Sequence, residues 1–179
     1  MKRISFIMIA LLAVSSFSCG ILDKADVNFD IKLKQDFIVA ETASATNVTK
    51  SYEAVLDASA NADFAKYKNK LKDMKINKIT YQVTGYATTL PNAVSFSAGT
   101  FSVDGTTLVT QGTTDLKAVN GAAEVEVTSL NPSGVSALVA KLKTDGKATV
   151  KASGTLSATP VAFKLTAYYY VTVTANALN

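Results

Sequence analysis

Hydrophobic and polar residues alternate along most of this chain. Between residues 27 and 33 every second position is apolar, and the positions between them hold Asn, Asp or Lys. The stretch 161–175 keeps the same period, with Tyr169 on the apolar side and Tyr168 and Tyr170 on the other. Successive side chains of a strand point to opposite faces, so this period predicts half-buried β-strands.

Further segments bring the predicted number of strands to about eight. The parity of the apolar positions shifts at Gly99–Thr100, which predicts a β-bulge. Asp104–Gly105 and Asn120–Gly121 predict hairpin-type turns. The small, polar stretch 42–49 predicts a loop. The further strands are expected near residues 52–56, 79–83, 94–103, 124–127 and 150–156.

Two segments change to helical spacing. Between residues 61 and 74 the apolar side chains are three or four positions apart, which places them on one face of a helix. Residues 133–143 show the same pattern and are followed by Asp145–Gly146, a sequence typical of a helix end. The apolar stripe of the first predicted helix is Phe64, Tyr67, Leu71 and Met74.

This order of elements predicts one mainly β domain over residues 27–179. We expect an antiparallel β-sandwich, with immunoglobulin-like or jelly-roll topology and two short helices, because alternating strands must pair their apolar faces to bury them. An α+β layer, with the helices on one face of the sheet, is the alternative.

The N-terminus departs from this pattern and predicts an export signal. Lys2 and Arg3 precede the mostly apolar stretch 4–14, and small residues then lead to Cys19. A positive segment, an apolar segment and small residues in this order are typical of a secretory signal peptide, here Met1–Ser18. The apolar stretch is shorter than the roughly 20 residues that span a bilayer.

Cys19 is the only cysteine, and it directly follows Ser18. This junction resembles the bacterial lipoprotein class, although Ser16 and Phe17 depart from its typical box. The resemblance covers residues 1–19 and implies that Cys19 carries acyl chains. Gly20 stands where the class has Asp for inner-membrane retention, which implies the outer membrane, on its periplasmic or its surface side. The alternative is ordinary signal cleavage, which would leave a free thiol.

The tether predicted at 19–26 is short, so the domain is expected close to the membrane.

The amino-acid composition limits the chemistry of that domain. The chain has no histidine, no tryptophan and one arginine, Arg3. Histidine-activated nucleophiles, His/Cys zinc sites and arginine clamps on phosphate are therefore excluded from residues 19–179. We expect no cofactor, no metal and no enzymatic activity. The chain has four more basic residues (Lys and Arg) than acidic residues (Asp and Glu), and two more when Lys2 and Arg3 are left out. So small a net positive charge does not favour nucleic acid as a binding partner.

Three groups of residues remain as candidates for function. Lys66 and Lys70 belong to a lysine cluster over 66–78, which suits anionic lipid but equally suits a packed helix with lysines in water. Tyr168 and Tyr170 point outward together and form either a stacking platform or ordinary cross-strand pairs. Glu124 and Glu126 share a strand face, which suits either glycosidase chemistry or plain solvent exposure.

We therefore expect a non-catalytic envelope lipoprotein that binds or scaffolds an envelope protein or glycan. The alternative is a carrier of a small apolar or lipid ligand inside the sandwich, and a carboxylate-based glycosidase is a distant third hypothesis. A large interior cavity would favour the carrier, and converging carboxylates would favour the enzyme. A closed core with an exposed tyrosine or lysine face would favour the binding module.

Overall fold

The structure is a computed structural model, and it describes residues 26–177. The predicted signal peptide, Cys19 and most of the tether lie outside the described residues. Antiparallel strands and two α-helices make up most of the described chain, which confirms the predicted fold class. In chain order the elements are β1 (Asp26–Asp57), α1 (Ala62–Tyr67), β2 (Leu71–Ala87), β3 (Ser95–Val103), β4 (Thr106–Gln111), β5 (Thr114–Asp115), β6 (Val125–Glu126), α2 (Pro132–Asp145) and β7 (Lys147–Asn176).

The seven strands form one sheet with β7 at its centre. One edge of β7 pairs with β1 over nearly its whole length. Its other edge pairs with β3 in the N-terminal half and with β2 in the C-terminal half. β4 and β5 extend the sheet from β3, and β6 extends it from β2. Seven strands are present where about eight were predicted. At each end of the chain two predicted strands merge, into β1 and into β7, whereas β4 and β5 lie outside the predicted strand ranges.

The predicted loop at 42–49 is wrong, because this stretch belongs to the 32-residue strand β1. Its register against β7 shifts between Glu41 and Ala45. There the Thr159 hydroxyl donates to the Ala43 carbonyl at 2.6 Å. Beyond the shift, serine and threonine side chains continue the ladder through cross-strand hydroxyl pairs with β7. Small polar residues are therefore compatible with a strand here, because a paired partner strand satisfies the backbone.

The ribbon of β1 and β7 bends at this shift, and its two halves face each other. The side chain of Gln35, in the first half of β1, donates to the Ala54 carbonyl in the second half at 2.6 Å. Tyr169 of β7 donates to the other end of the same amide at 2.9 Å. One curled sheet thus supplies both layers around the core, which is consistent with a β-sandwich-like fold.

The core confirms the strand parity predicted for residues 161–175. The alternate residues of this stretch point inward, and all of them except the half-buried Leu165 are buried. Tyr169 is fully buried, whereas Tyr168 and Tyr170 are half-buried on the outer face. This parity places the two outward tyrosines beside β1 and β2.

The first helix is shorter than predicted. α1 ends at Tyr67, a 3-10 turn follows at Lys68–Lys70, and Leu71 begins β2. Met74 therefore lies in a strand, so the predicted stripe over 61–74 is wrong in its last third. The helical spacing of these residues was overridden because β2 gains a long pairing with β7 by starting at Leu71. Phe64 remains fully buried under α1.

The second helix and most of the turns agree with the sequence. α2 buries Leu138 and Leu142 and is followed by the C-cap Gly146, whose φ is 73°. The predicted bulge is confirmed by a register shift between Ser97 and Thr100 against β7. Asp104–Gly105 makes the hairpin of β3 and β4.

Asn120–Gly121 is a turn but not a hairpin. The strands on its two sides are β5 and β6, and they pair with β3 and β2 rather than with each other. The Gly121 N–H donates to the Val83 carbonyl at 2.9 Å, so this segment is held against β2 instead. Local turn chemistry was predicted correctly, whereas the choice of partner strands depended on the fold.

Candidate functional site

Tyr168 and Tyr170 lie on the outer face of β7, between β1 and β2. Tyr170 stands in one cross-strand row with Lys32 of β1 and Lys78 of β2. Tyr168 stands in the next row, beside Thr80 of β2. The pairing of three strands thus brings together side chains that are far apart in the sequence.

The lysine ammonium groups lie over the tyrosine rings. Lys32 Nζ is 4.2 Å from the ring centroid of Tyr168 and 5.0 Å from that of Tyr170. Lys78 Nζ is 4.4 Å from the Tyr170 centroid. These are cation–π distances, each contributing about 0.5–1 kcal/mol at exposed sites. The rings are therefore part of a mixed aromatic and cationic surface rather than bare stacking platforms.

Glu124, which precedes β6, completes this group. Its carboxylate accepts from Tyr170 Oη at 2.7 Å and from Thr80 Oγ1 at 2.5 Å, and it pairs with Lys32. Lys32, Lys78, Glu124, Tyr168 and Tyr170 are called the tyrosine–lysine cluster below. The cluster connects the segment before β6 to three strands of the sheet.

The three donors decide the charge of Glu124. Burial raises the pKa of this carboxyl, but hydrogen bonds from Lys32, Thr80 and Tyr170 outweigh burial and lower the pKa to about 2. The hydrogen bond to Glu124 is also the main reason that the pKa of Lys32 is raised. Both groups are therefore ionised at neutral pH, and Glu124 holds no proton to donate as a general acid.

Glu126 has a different environment from Glu124. It lies on β6 opposite Thr80 and borders a surface groove together with Asn77, Lys78 and Tyr170. The acid–base pair of a glycosidase requires one carboxyl that is protonated at working pH. The strongly acidic Glu124 does not meet that requirement.

Other residues on the same outer face form a ladder of hydroxyl–carboxylate pairs. Thr172 Oγ1 donates to Asp30 at 2.6 Å, and Thr166 Oγ1 donates to Asp36 at 2.7 Å. These pairs satisfy both partners across β1 and β7. Lys78, in contrast, has no ion pair among residues 26–177. It is the cation of the cluster that is free to meet a ligand.

Lys66 and Lys70 lie elsewhere, so the structure does not bring them together with the tyrosines. Lys66 is exposed on α1, with its Nζ 4.9 Å from the ring centroid of Tyr67, and Lys70 lies in the 3-10 turn. The ring of Tyr67 in turn packs on Phe29 of β1, with the centroids 5.4 Å apart. The tyrosine and lysine candidates are therefore two separate surfaces.

Sequence reasoning missed Lys32 and Lys78 as members of the tyrosine surface. Each occupies an ordinary outward position of an alternating strand. Only the registers of β1 and β2 against β7 place them beside Tyr170. No local pattern contains that information, because register is a property of strand pairs.

The interior between the two layers contains a small apolar cavity. Its volume is about 40 Å³, and its lining includes Phe37, Phe96, Phe101 and Phe163. Sites that enclose a small molecule usually measure about 300–1,000 Å³. This cavity is too small to enclose an acyl chain.

No helix within residues 26–177 combines the length and apolarity needed to cross a bilayer. The same residues contain no group of three or more His, Cys, Asp and Glu side chains placed to hold a metal ion. Comparison of the chain with protein-family models, curated proteins and solved structures gave no match. The assignment of function therefore depends on the chemistry of the residues themselves.

Proposed function

We propose that this protein is a lipid-anchored lipoprotein of the bacterial cell envelope, held in the outer membrane through Cys19, and that its domain is a non-catalytic binding module. Its partner is another envelope component, a protein or a glycan. The order of charge, apolar stretch and small residues before Cys19 supports the anchor. Three acyl chains, the number that the lipoprotein class carries, hold far more firmly than one.

The tyrosine–lysine cluster is the observation that supports binding. It combines two half-buried rings with the unpaired ammonium of Lys78 on an open sheet face. Aromatic side chains dominate the energetics of protein interfaces, and a cation next to them contributes orientation and hydrogen bonds. A partner that places a carboxylate or hydroxyl groups over Lys78 would use both features.

The competing functions have less support. A carrier needs space for its ligand, and the cavity of about 40 Å³ is small. A glycosidase needs a pair of carboxyls that face the substrate, whereas the Glu124 carboxylate is already bonded to Lys32, Thr80 and Tyr170. Neither argument applies to a module that binds with its outer face.

The anchor is tested by replacing Cys19. In cells fed an alkyne fatty acid, the natural chain should incorporate the label and fractionate with membranes. The Cys19→Ser variant should lose the label and appear in the soluble fraction. Equal membrane partition of the two chains would contradict the anchor.

The binding face is tested by crosslinking in intact cells. A photo-crosslinking residue at position 78 should capture one partner repeatedly, identified by mass spectrometry. The same residue at the exposed position 117, which lies beyond β5 and outside the cluster, is the matched control. Identical products at both positions would argue against a specific face.

A further inference from the structure

The chain enters the described domain beside the lysine cluster. Lys72, at the start of β2, pairs with Asp26, the first described residue of β1. Tyr67 of α1 packs on Phe29, three residues further along β1. We call α1, the turn Lys68–Lys70 and the first two residues of β2 the basic end. The bend of the ribbon at 41–45 lies at the opposite end of the sheet.

The basic end contains cations that the protein does not neutralise. Residues 66–72 include four lysines and no acid, and the one acid in the rest of the basic end is Asp63, in the first turn of α1. Lys72 is paired with Asp26, and Lys68 Nζ donates to the Asp145 carbonyl at 3.0 Å, at the C-terminus of α2. Lys66 and Lys70 have no ion pair among residues 26–177. These two ammonium groups are available to an external anion.

The length of the tether limits which end of the domain approaches the membrane. Six residues lie between Cys19 and Asp26, so seven Cα–Cα steps join the two and they are at most about 25 Å apart. The half of β7 from 161 to 176 is about 50 Å long at the usual rise per residue. A domain held at Asp26 by so short a tether keeps the basic end near the bilayer and lets the bend stand far from it.

We propose that the basic end docks on anionic lipid headgroups through Lys66 and Lys70, with the bend directed away from the membrane. This inference rests on the lipid anchor proposed above. Phe64, the first residue of the apolar stripe, is fully buried, so the contact is electrostatic and inserts no apolar face. Such contacts weaken as salt screens the charges.

The single cysteine makes the orientation measurable. Once Cys19 is acylated its sulfur is blocked, so a cysteine introduced at Asn69 or at Thr46 takes a fluorophore alone. Both sites are exposed, the first in the basic end and the second beside the bend. The full-length acylated protein is placed in vesicles of phosphatidylglycerol and phosphatidylcholine that carry a headgroup quencher.

We expect strong quenching at position 69 and little at position 46. High salt, vesicles of phosphatidylcholine alone, and the double variant Lys66→Glu/Lys70→Glu should each reduce the difference at least twofold. Lys117→Glu/Lys164→Glu, which reverses two lysines on the bend side of the sheet, is the charge-matched control and should retain the difference. Equal quenching at both sites, or a difference insensitive to salt and to Lys66 and Lys70, would overturn the proposal.

The parent protein, without an introduced cysteine, separates this inference from the anchor. If Cys19 of the parent takes the fluorophore, its thiol is free and the proposed anchor fails. If the parent stays unlabelled and the two sites are quenched equally, the anchor stands and the docking of the basic end fails.

Discussion

Tyr169 is the largest side chain that the core buries completely. Its hydroxyl donates to Gln35 Oε1 at 2.9 Å, and Gln35 Nε2 donates to the Ala54 carbonyl at 2.6 Å. Burial raises the pKa of Tyr169, so the hydroxyl keeps its proton and remains a donor at neutral pH. This short chain of hydrogen bonds joins the two halves of the curled sheet through an otherwise apolar interior.

Tyr169→Phe should lower the free energy of unfolding by about 1–3 kcal/mol, because it leaves the buried Gln35 oxygen without its donor. Urea unfolding of the two proteins measures the difference. The matched control is Tyr168→Phe, since that hydroxyl is half-buried and its 3.4 Å bond to Gln82 is long. A larger loss in Tyr168→Phe than in Tyr169→Phe would show that the network does not join the layers.

Among the elements, α2 depends on one glycine for its position. Gly134 is buried in the first turn of the helix, where it faces β4. A Cβ at this position would approach the Leu108 Cα to 2.5 Å and the Leu108 N to 2.7 Å. The backbone of a paired strand cannot move aside easily, so the glycine sets how closely α2 packs.

The Gly134→Ala substitution separates helix propensity from packing, because the two effects predict changes of opposite sign in the free energy of unfolding. Propensity alone predicts a gain of about 1 kcal/mol. The close approach to β4 predicts a loss of about 1–3 kcal/mol or more through overpacking. We expect the loss, measured as a lower melting temperature and a lower unfolding free energy. Ser136→Ala, on the exposed side of α2, is the control and should be neutral or slightly stabilising. A gain of stability in both variants would show that α2 lies further from β4.

At the scale of the whole molecule, Glu124 connects an irregular segment to the sheet. The segment between β5 and β6 contacts β2 through the Gly121 N–H, which donates to the Val83 carbonyl, and through Gln82, whose amide donates to the Ala122 carbonyl at 2.9 Å. Glu124 adds an ion pair that reaches across the sheet to Lys32 of β1. The charge on this one carboxylate therefore holds several elements together.

This arrangement predicts how stability depends on pH. Folding lowers the pKa of Glu124 from about 4.5 to about 2, so its contribution is fully present above pH 4.5 and is lost as the pH falls toward 2. The difference in unfolding free energy between the natural protein and Glu124→Gln should be constant near neutral pH and shrink over this acid range. Denaturant unfolding at a series of pH values measures it.

The control for this experiment is Glu126→Gln, two residues further along and on β6. Other carboxyls whose pKa the fold lowers, including Asp36 and Asp57, are present in every variant, so their effects cancel in the differences. A difference for Glu124→Gln that stayed constant down to pH 2 would show that its three hydrogen bonds are absent in solution.

The sequence predicted the fold well wherever a pattern was local. The inward position of Tyr169, the bulge at Gly99–Thr100 and the hairpin at Asp104–Gly105 all follow from alternation or turn chemistry. The predictions were wrong for segments whose conformation is set by the strand with which they pair. Residues 42–49 have the composition of a loop, yet beyond the register shift they pair with β7. Leu71 has helical spacing, yet it pairs with β7 and belongs to β2.

Three properties could be read from the amino-acid sequence: which faces of the strands are buried, the class of the fold, and the absence of histidine chemistry. These follow from side-chain period and residue type, which act within a few positions of the chain. The tertiary structure alone decided that Lys32, Lys78 and Glu124 surround Tyr170, and that Lys66 and Lys70 lie where the chain enters the domain. Such neighbourhoods depend on strand register and on the bend of the β1–β7 ribbon, which arise only when distant segments pair.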